Sequence, residues 1–273
     1  PSLQMQWEKT FYRESTLSLS LSIRSNTRHY NASSASKSLL LRPVYRDIDI
    51  RTEKKDAKKR SLESQKLPKV PTNTKGIPPY LFQTHYAPSQ VPKHVRDEVL
   101  NKAQGYEYYL LDDDDIRLFL AQYYPDFSDT FEQLQGAHRA DLARYLLLHR
   151  YGGVYFDIKA IPKKPLNEIF NRNQNIFYTA LSHGWSEDWN WKSIHQSILA
   201  SPPQNPILRK AADNIQDLVQ GGQPWITSTN NEYDWVIEDL FRIIQSYAKN
   251  ELKAGLNIIK ESAIPNVYLF NVF

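Results

Sequence analysis

Cysteine is absent from the chain, which removes disulfides, thiolate metal sites and cysteine nucleophiles together. No stretch of about 18 consecutive apolar residues occurs, so no segment has the texture of a membrane-spanning helix. A P-loop, a G-x-G-x-x-G fingerprint and a Ser-His-Asp order are missing as well, and the chemistries they carry are not indicated. Basic charge is scarce outside the first 76 residues, which hold 16 of the 34 Lys and Arg but only 7 of the 30 Asp and Glu. The overall net charge of +4 therefore belongs to that tail. The remainder has no basic surplus with which to track a phosphate backbone, and no specific nucleic-acid partner is expected. What is present is enough apolar material, 41% of 273 residues, for one large α/β domain or two small ones.

Residues 1–76 read as a low-complexity basic tail or linker: a Ser- and Asn-rich stretch over 22–38, a lysine-dense run from Lys54 to Lys59, then Pro68 and Pro71. Within it, Leu17, Leu19, Leu21 and Ile23 alternate with serines at strand period and could add an edge strand to another element. The chain opens at Pro1 rather than methionine, so a signal or anchor would lie upstream, and membrane association is expected only through such a segment.

From Ile77 the texture changes to alternating strand and helix signals, and residues 77–273 read as the folded domain. Tyr80 to Thr84 reads as a buried strand, Pro92 to Ala103 as a helix and Tyr106 to Leu111 as a second strand, together one βαβ unit. Helices are expected at Asp113 to Gln122 and Phe127 to Leu134, with Asp112 to Asp115 as a solvated turn and N-cap. The strongest helix spans Ala137 to Tyr151 and stops at Gly152 and Gly153. Val154 to Asp157 is a strand delivering a carboxylate at its C-terminal edge, where open α/β sheets bind ligands. Further strands are expected near Asn175 to Ala180, Asn257 to Lys260 and Val267 to Phe270, and helices at Pro206 to Gln220 and Glu232 to Lys249.

The informative stretch is GAHRADLARYLLLHRYGGVYFDIK, residues 136–159. Ala137, Ala140, Asp141, Arg144, Tyr145 and Leu148 share a helix face on which a charged pair stands among small residues. Residue types alone leave two readings open: a surface ion pair, the common fate of such spacing, or a ligand held between this helix and the strand that ends in Asp157. The pattern as a whole resembles the signature of the glycosyltransferase family with a DXD sugar-binding region. That family includes the yeast initiating α-1,6-mannosyltransferases, capsular polysaccharide synthesis enzymes and, more distantly, the glucosylating domains of clostridial toxins. Ala140-Asp141, Arg144-Tyr145, Gly152-Gly153, Tyr155 and Asp157 match it, IPPYLFQTH (77–85) resembles its opening strand, and Tyr106 to Asp115 and Asn190 to Pro206 resemble later segments in the same order.

The resemblance implies a GT-A type α/β domain, with a mostly parallel, Rossmann-like central sheet flanked by helices. It also implies transfer of a hexose from a nucleotide sugar, GDP-mannose or a UDP-hexose, to a glycan or other hydroxyl acceptor, with retention. By position, Gln83 and Thr84 would border the base and ribose, Asp141 and Arg144 would hold the sugar hydroxyls beside Tyr145 and Gly153, and Asp157 would contact the donor and ligate Mn²⁺ or Mg²⁺. Trp185 with Trp189 and Trp191, and His195 with Gln196, are candidates for the walls of the same pocket. A Golgi-type stalk suits the tail if the source is eukaryotic, the cytoplasm if bacterial or viral.

The departure from the pattern is Lys159, which stands where the second aspartate belongs. Strand alternation would put Asp157 and Lys159 on one side if the strand continued that far. Three consequences stay open: the ammonium replaces the metal at the diphosphate, the metal is kept with a carboxylate from elsewhere, or transfer is lost and a silent nucleotide-sugar or carbohydrate-binding protein remains. Readings as a basic-tailed scaffold or a glycoside hydrolase rest on the tail alone, or on a carboxylate separation that sequence does not show.

Overall fold

The computed structural model describes residues 67–72, 75–183, 192–222 and 234–272, with the backbone of 7–8 and 21–23. Two short strands, β1 (Trp7–Glu8) and β2 (Leu21–Ile23), pair in parallel, and β2 pairs antiparallel with a later strand over Ala160 to Pro162. Of the serine-spaced alternation in the tail, Leu21 to Ile23 thus forms a strand, but as the middle strand of a three-stranded sheet and not an edge. Leu67, ten residues before Ile77, packs on the core.

Strand β3 (Tyr80–Thr84) leads through helix α1 (Lys93–Lys102) to β4 (Glu107–Leu111), which pairs with β3 in parallel. Helix α2 (Asp113–Tyr123) begins at a capping box: Asp112 accepts from the backbone of Asp114 and Asp115, and Asp115 accepts from the Asp112 N–H. This satisfies donors that a helix start leaves without partners, and explains the acidic run without a cation. A short helix α3 (Ser128–Gln133) precedes α4 (Ala137–Tyr151), whose ends fall where the sequence predicts them. Gly152 (φ 62°) and Gly153 (φ 100°) then turn the chain into β5 (Gly153–Phe156). A side chain at either position would also collide, since a Cβ on Gly152 would stand 2.6 Å from the Pro203 nitrogen and one on Gly153 2.7 Å from the Tyr80 carbonyl oxygen. The glycine pair is therefore required twice, by conformation and by close approach.

The remaining elements are β6 (Ala160–Pro162), α5 (Leu166–Ile169), β7 (Ile176–His183), β8 (Lys192–Ser201), α6 (Pro206–Gln220), α7 (Asp234–Tyr247), β9 (Gly255–Asn257) and β10 (Asn266–Val272). The main sheet has the order β4-β3-β5-β8-β7-β10-β9. Five of its seven strands run one way and only β8 and β9 oppose them. This is the α/β sheet with flanking helices that the resemblance implies. β6, α5 and β8 were not anticipated, β8 because both its faces are covered and its ladder is irregular. Tyr178 pairs with Ala200 but Ala180 pairs with His195, so the register jumps across Gln196 and Ser197.

Alternation divides the sheet side chains between two layers. Phe82, Tyr155, Phe177, Leu199 and Leu269 face α2, α4, α6 and α7 in the larger core. Leu81, Val154, Phe156, Ile198 and Phe270 face α1, α5 and β6 in the smaller one. Every residue of α4 from Asp141 to Leu148 is buried, so this helix lies inside the larger layer and not on its surface.

Candidate active site

Asp141 and Arg144 are not a surface pair: their side chains are 2% and 3% exposed, and Arg144 Nη2 lies 3.0 Å from Asp141 Oδ1. The same nitrogen lies 3.1 Å from Asp157 Oδ1 at the end of β5, and that side chain keeps 35% of its surface. Arg144 Nε donates to the Ala140 carbonyl at 3.2 Å and Nη1 to the Gln196 carbonyl at 2.9 Å. Its guanidinium lies 4.8 Å from the Tyr155 ring centroid. A planar fork held at four points and stacked on a ring has one orientation, a task lysine could not perform.

Two carboxylates share that one cation, so the set carries a net negative charge. Removal from water pushes the Asp157 carboxyl above the usual carboxylate range, opposed first by Arg144 and less by the Tyr155 hydroxyl and Lys159. The other oxygen of Asp141 faces His138 Nδ1 at 3.5 Å.

The register jump in β8 supplies the frame. Gln196 offers its carbonyl to Arg144, and Ser197 offers its carbonyl to the Asp157 N–H at 2.9 Å. Bulges beside active sites re-aim neighbouring groups in this way. The Gln196 side chain donates to the Val236 carbonyl in α7 at 2.8 Å. Ser197 was not among the candidates, and a serine within an irregular strand carries no sequence signal that would have raised it.

The other candidates divide. Thr84 Oγ1 and the Tyr155 hydroxyl are 2.9 Å apart at the C-terminal end of β3, beside Asp157. Gln83 is fully buried, donating to the Asp157 carbonyl at 3.2 Å and accepting from the Tyr108 hydroxyl at 2.8 Å. Its amide thus braces the turn from within and does not border open space. Gly153 is corrected in the same sense: it opens β5 against Tyr80, four residues before Asp157, and does not line the site. Tyr145 is 1% exposed within the larger core. His195 is half-buried next to Gln196. Trp185, Trp189 and Trp191 lie outside the described residues, as does the side chain of His183.

Lys159 needs a correction as well. β5 ends at Phe156, and Ala160 N–H donates to the Asp157 carbonyl at 2.8 Å, so residues 157–160 form a turn. Strand alternation therefore does not govern Lys159, which stands exposed on the turn yet near enough for its charge to act on Asp157. As a cation site this arrangement is poor. Hard divalent ions take about six oxygen ligands, whereas here one carboxylate already bound to arginine stands near an ammonium. No group of three or more His, Asp or Glu suited to a metal occurs among the described residues.

The fold is thus a mixed, mostly parallel α/β sheet with a buried arginine–carboxylate set at a strand's C-terminal edge. Residues 89–176 match the family model described as a glycosyltransferase sugar-binding region containing DXD motif. The chain is similar to mannosyl phosphorylinositol ceramide synthase SUR1 of Saccharomyces cerevisiae, 29% identical over 184 residues that cover 65% of this chain and 45% of that one. It is also similar to the initiation-specific alpha-1,6-mannosyltransferase of Candida albicans, 27% identical over 137 residues, 43% of this chain and 35% of that one. The chain thus spans less than half the length of these curated relatives. Among solved structures, a chain described as PaToxG Glycosyltransferase aligns at a TM-score of 0.45 and 14% identity, covering 72% of this chain and 79% of that one.

Proposed function

We propose that this domain transfers a hexose from a nucleotide sugar to a hydroxyl acceptor. The observation that carries the reading is the Asp141–Arg144–Asp157 set, buried at its base and open at Asp157, inside the segment that matches the sugar-binding family. In the reaction the acceptor oxygen bonds to the anomeric carbon while the bond from that carbon to the diphosphate breaks. The electron pair leaves with the diphosphate, and the acceptor's proton passes to it or to solvent. Retention follows the family resemblance, and the relatives' names favour a mannosyl donor.

In this reading Asp157 meets the donor, and Arg144 and Asp141 set its position and charge. The negative set would repel a diphosphate unless a cation intervenes. Lys159 stands on the adjoining turn, with exposed Lys163 and Lys164 a few residues on, and an ammonium can stabilise the leaving charge as a point charge. No step here is routed through a metal ion. A catalytically silent protein is the disfavoured alternative, since the similar proteins carry enzyme names. The first of those names points to a phosphorylinositol ceramide acceptor, and a glycan is the acceptor that the family resemblance implies.

The test is donor hydrolysis and binding across GDP- and UDP-sugars, with Mn²⁺, with Mg²⁺ and with EDTA, on the wild type and on Lys159→Ala. Turnover that survives EDTA and drops at least about 100-fold in the variant, the scale of removing one charge-stabilising donor, supports the lysine. Turnover abolished by EDTA overturns the lysine's role and keeps the transferase. Donor binding without turnover under every condition overturns the transferase.

A further inference from the structure

The smaller layer does not cover the sheet evenly. Beyond α5, the first halves of β7 and β10 floor an open cleft of about 730 Å³, a size common among small-molecule sites, roughly 300–1,000 Å³. The floor is aromatic. Tyr178 and Tyr268 are register partners on parallel strands with ring centroids 5.6 Å apart, and Tyr268 lies 5.0 Å from Phe270. Phe170 packs edge-on against Tyr178 and Phe270, at 5.5 and 6.2 Å, which fixes the floor from behind. The rim is largely of uncharged amides, with Asn171, Asn173 and Gln174 all exposed. Of the charged rim groups, Arg172 is committed inward, donating Nε to the Ile77 carbonyl at 3.1 Å and lying over the Tyr106 ring, which leaves Glu168.

We propose that this cleft is a second carbohydrate site, for a neutral pyranose residue of a glycan. Tyr178, Phe170 and Phe270 are buried beneath, and the part-exposed Tyr268 ring is the aromatic surface that can take the C–H face of a sugar ring. Amides, each both donor and acceptor, match hydroxyls that do the same. The rim has no cluster of cations for a nucleoside diphosphate. It also has no acidic cluster to attract the chain's own tail, with its 16 basic against 7 acidic residues. The cleft is separate from the Asp157 site. Val154 and Tyr178 both pair with Ala200, so the floor lies level with Val154, about 10 Å short of Asp157 along the strand and about 10–14 Å to the side. The cleft floor faces the smaller core, whereas the Tyr155 ring beneath Arg144 faces the larger one. Binding here does not depend on the transferase reading; if that reading holds, the cleft engages outer residues of a glycan acceptor.

Calorimetric titration with mannotetraose, cellotetraose and maltotetraose tests the assignment, on the wild type, Tyr268→Ala and Asn173→Trp. The second variant changes only an exposed rim residue, so the fold is kept if truncating Tyr268 disturbs it. Saturable binding of at least one tetrasaccharide is expected, weakened tenfold or more in a folded Tyr268→Ala and changed more than twofold, in either direction, in Asn173→Trp, unaffected by GDP or UDP, with donor hydrolysis unchanged. No saturable binding, binding within twofold of wild type in Asn173→Trp, or displacement by either nucleotide overturns the proposal. Tetrasaccharide binding in a protein with no donor turnover would remove the transferase reading and leave the cleft standing.

Discussion

Among the described residues two Asp-x-x-Arg pairs close as helical ion pairs. Asp114 and Arg117 face each other on α2 at 2.7 Å with side chains 71% and 39% exposed, while Asp141 and Arg144 do so on α4 at 3.0 Å with 2% and 3%. Residue type, spacing and element type are shared. The surroundings differ: Arg117 also reaches Glu132 across solvent at 2.6 Å, whereas Arg144 is fixed by two carbonyls, a ring and a second carboxylate from another element. Helical spacing makes a pair, and only tertiary burial makes a positioned group. In the exposed pair water screens each charge; in the buried one each group depends on the others for its solvation.

The widest separation between the two is expected on deleting each arginine. Arg144→Leu leaves Asp141 and Asp157 without their cation, and the loss should be about 3–5 kcal/mol in denaturant unfolding, with donor binding gone. Next comes the turn that brings Asp157 to the pair. Gly153→Ala puts a side chain at φ 100° and 2.7 Å from the Tyr80 carbonyl oxygen, and should cost about 1–3 kcal/mol from backbone strain alone. Unchanged thermal midpoints in that variant would show that β5 can shift without loss.

A third measurement asks whether α4 penalises other buried charges. Burial holds the His149 imidazole down at about 4, and Arg209 and Arg150 add repulsion. The Tyr124 hydroxyl and His149 Nδ1 share a hydrogen bond, with the hydroxyl as donor when the ring is the neutral Nε2–H tautomer. Since the folded state resists the proton, the unfolded chain binds it first as pH falls below about 6.5. Stability is therefore full above that pH and declines toward 4, by about 1 kcal/mol between pH 7 and pH 5.5. Urea midpoints of wild type and His149→Gln at the two pH values check this, and an equal decline in both would remove His149 as the cause.

Legibility followed the range of the forces involved. The ends of α4, the cap at Asp112 and the Gly152-Gly153 stop were readable because capping and left-handed turns are decided within a few residues. The burial of Asp141 and Arg144 was not, because it depends on β8 and β5 closing over them. β8 itself was hidden: a strand covered on both faces and broken by a register jump at Gln196 and Ser197 shows no clean alternation. Lys159 illustrates the same limit at shorter range. Period-2 reasoning held only if the strand ran through residue 159, and the Ala160 N–H turns back to the Asp157 carbonyl before that.

The smallest expected effect is the sharpest check on the comparison. A double-mutant cycle on Asp114→Ala and Arg117→Ala should return a coupling of about 0.2–1 kcal/mol, shrinking as salt is raised because exposed charges are screened over roughly 8–10 Å. The Arg117–Glu132 contact does not enter that coupling, since it is lost equally in both backgrounds that lack Arg117. A salt-insensitive coupling above about 2 kcal/mol would mean that α2 desolvates its pair nearly as well as α4 does. Burial would then no longer distinguish the two helices, and the case for Arg144 as a positioned group would rest on Asp157 alone.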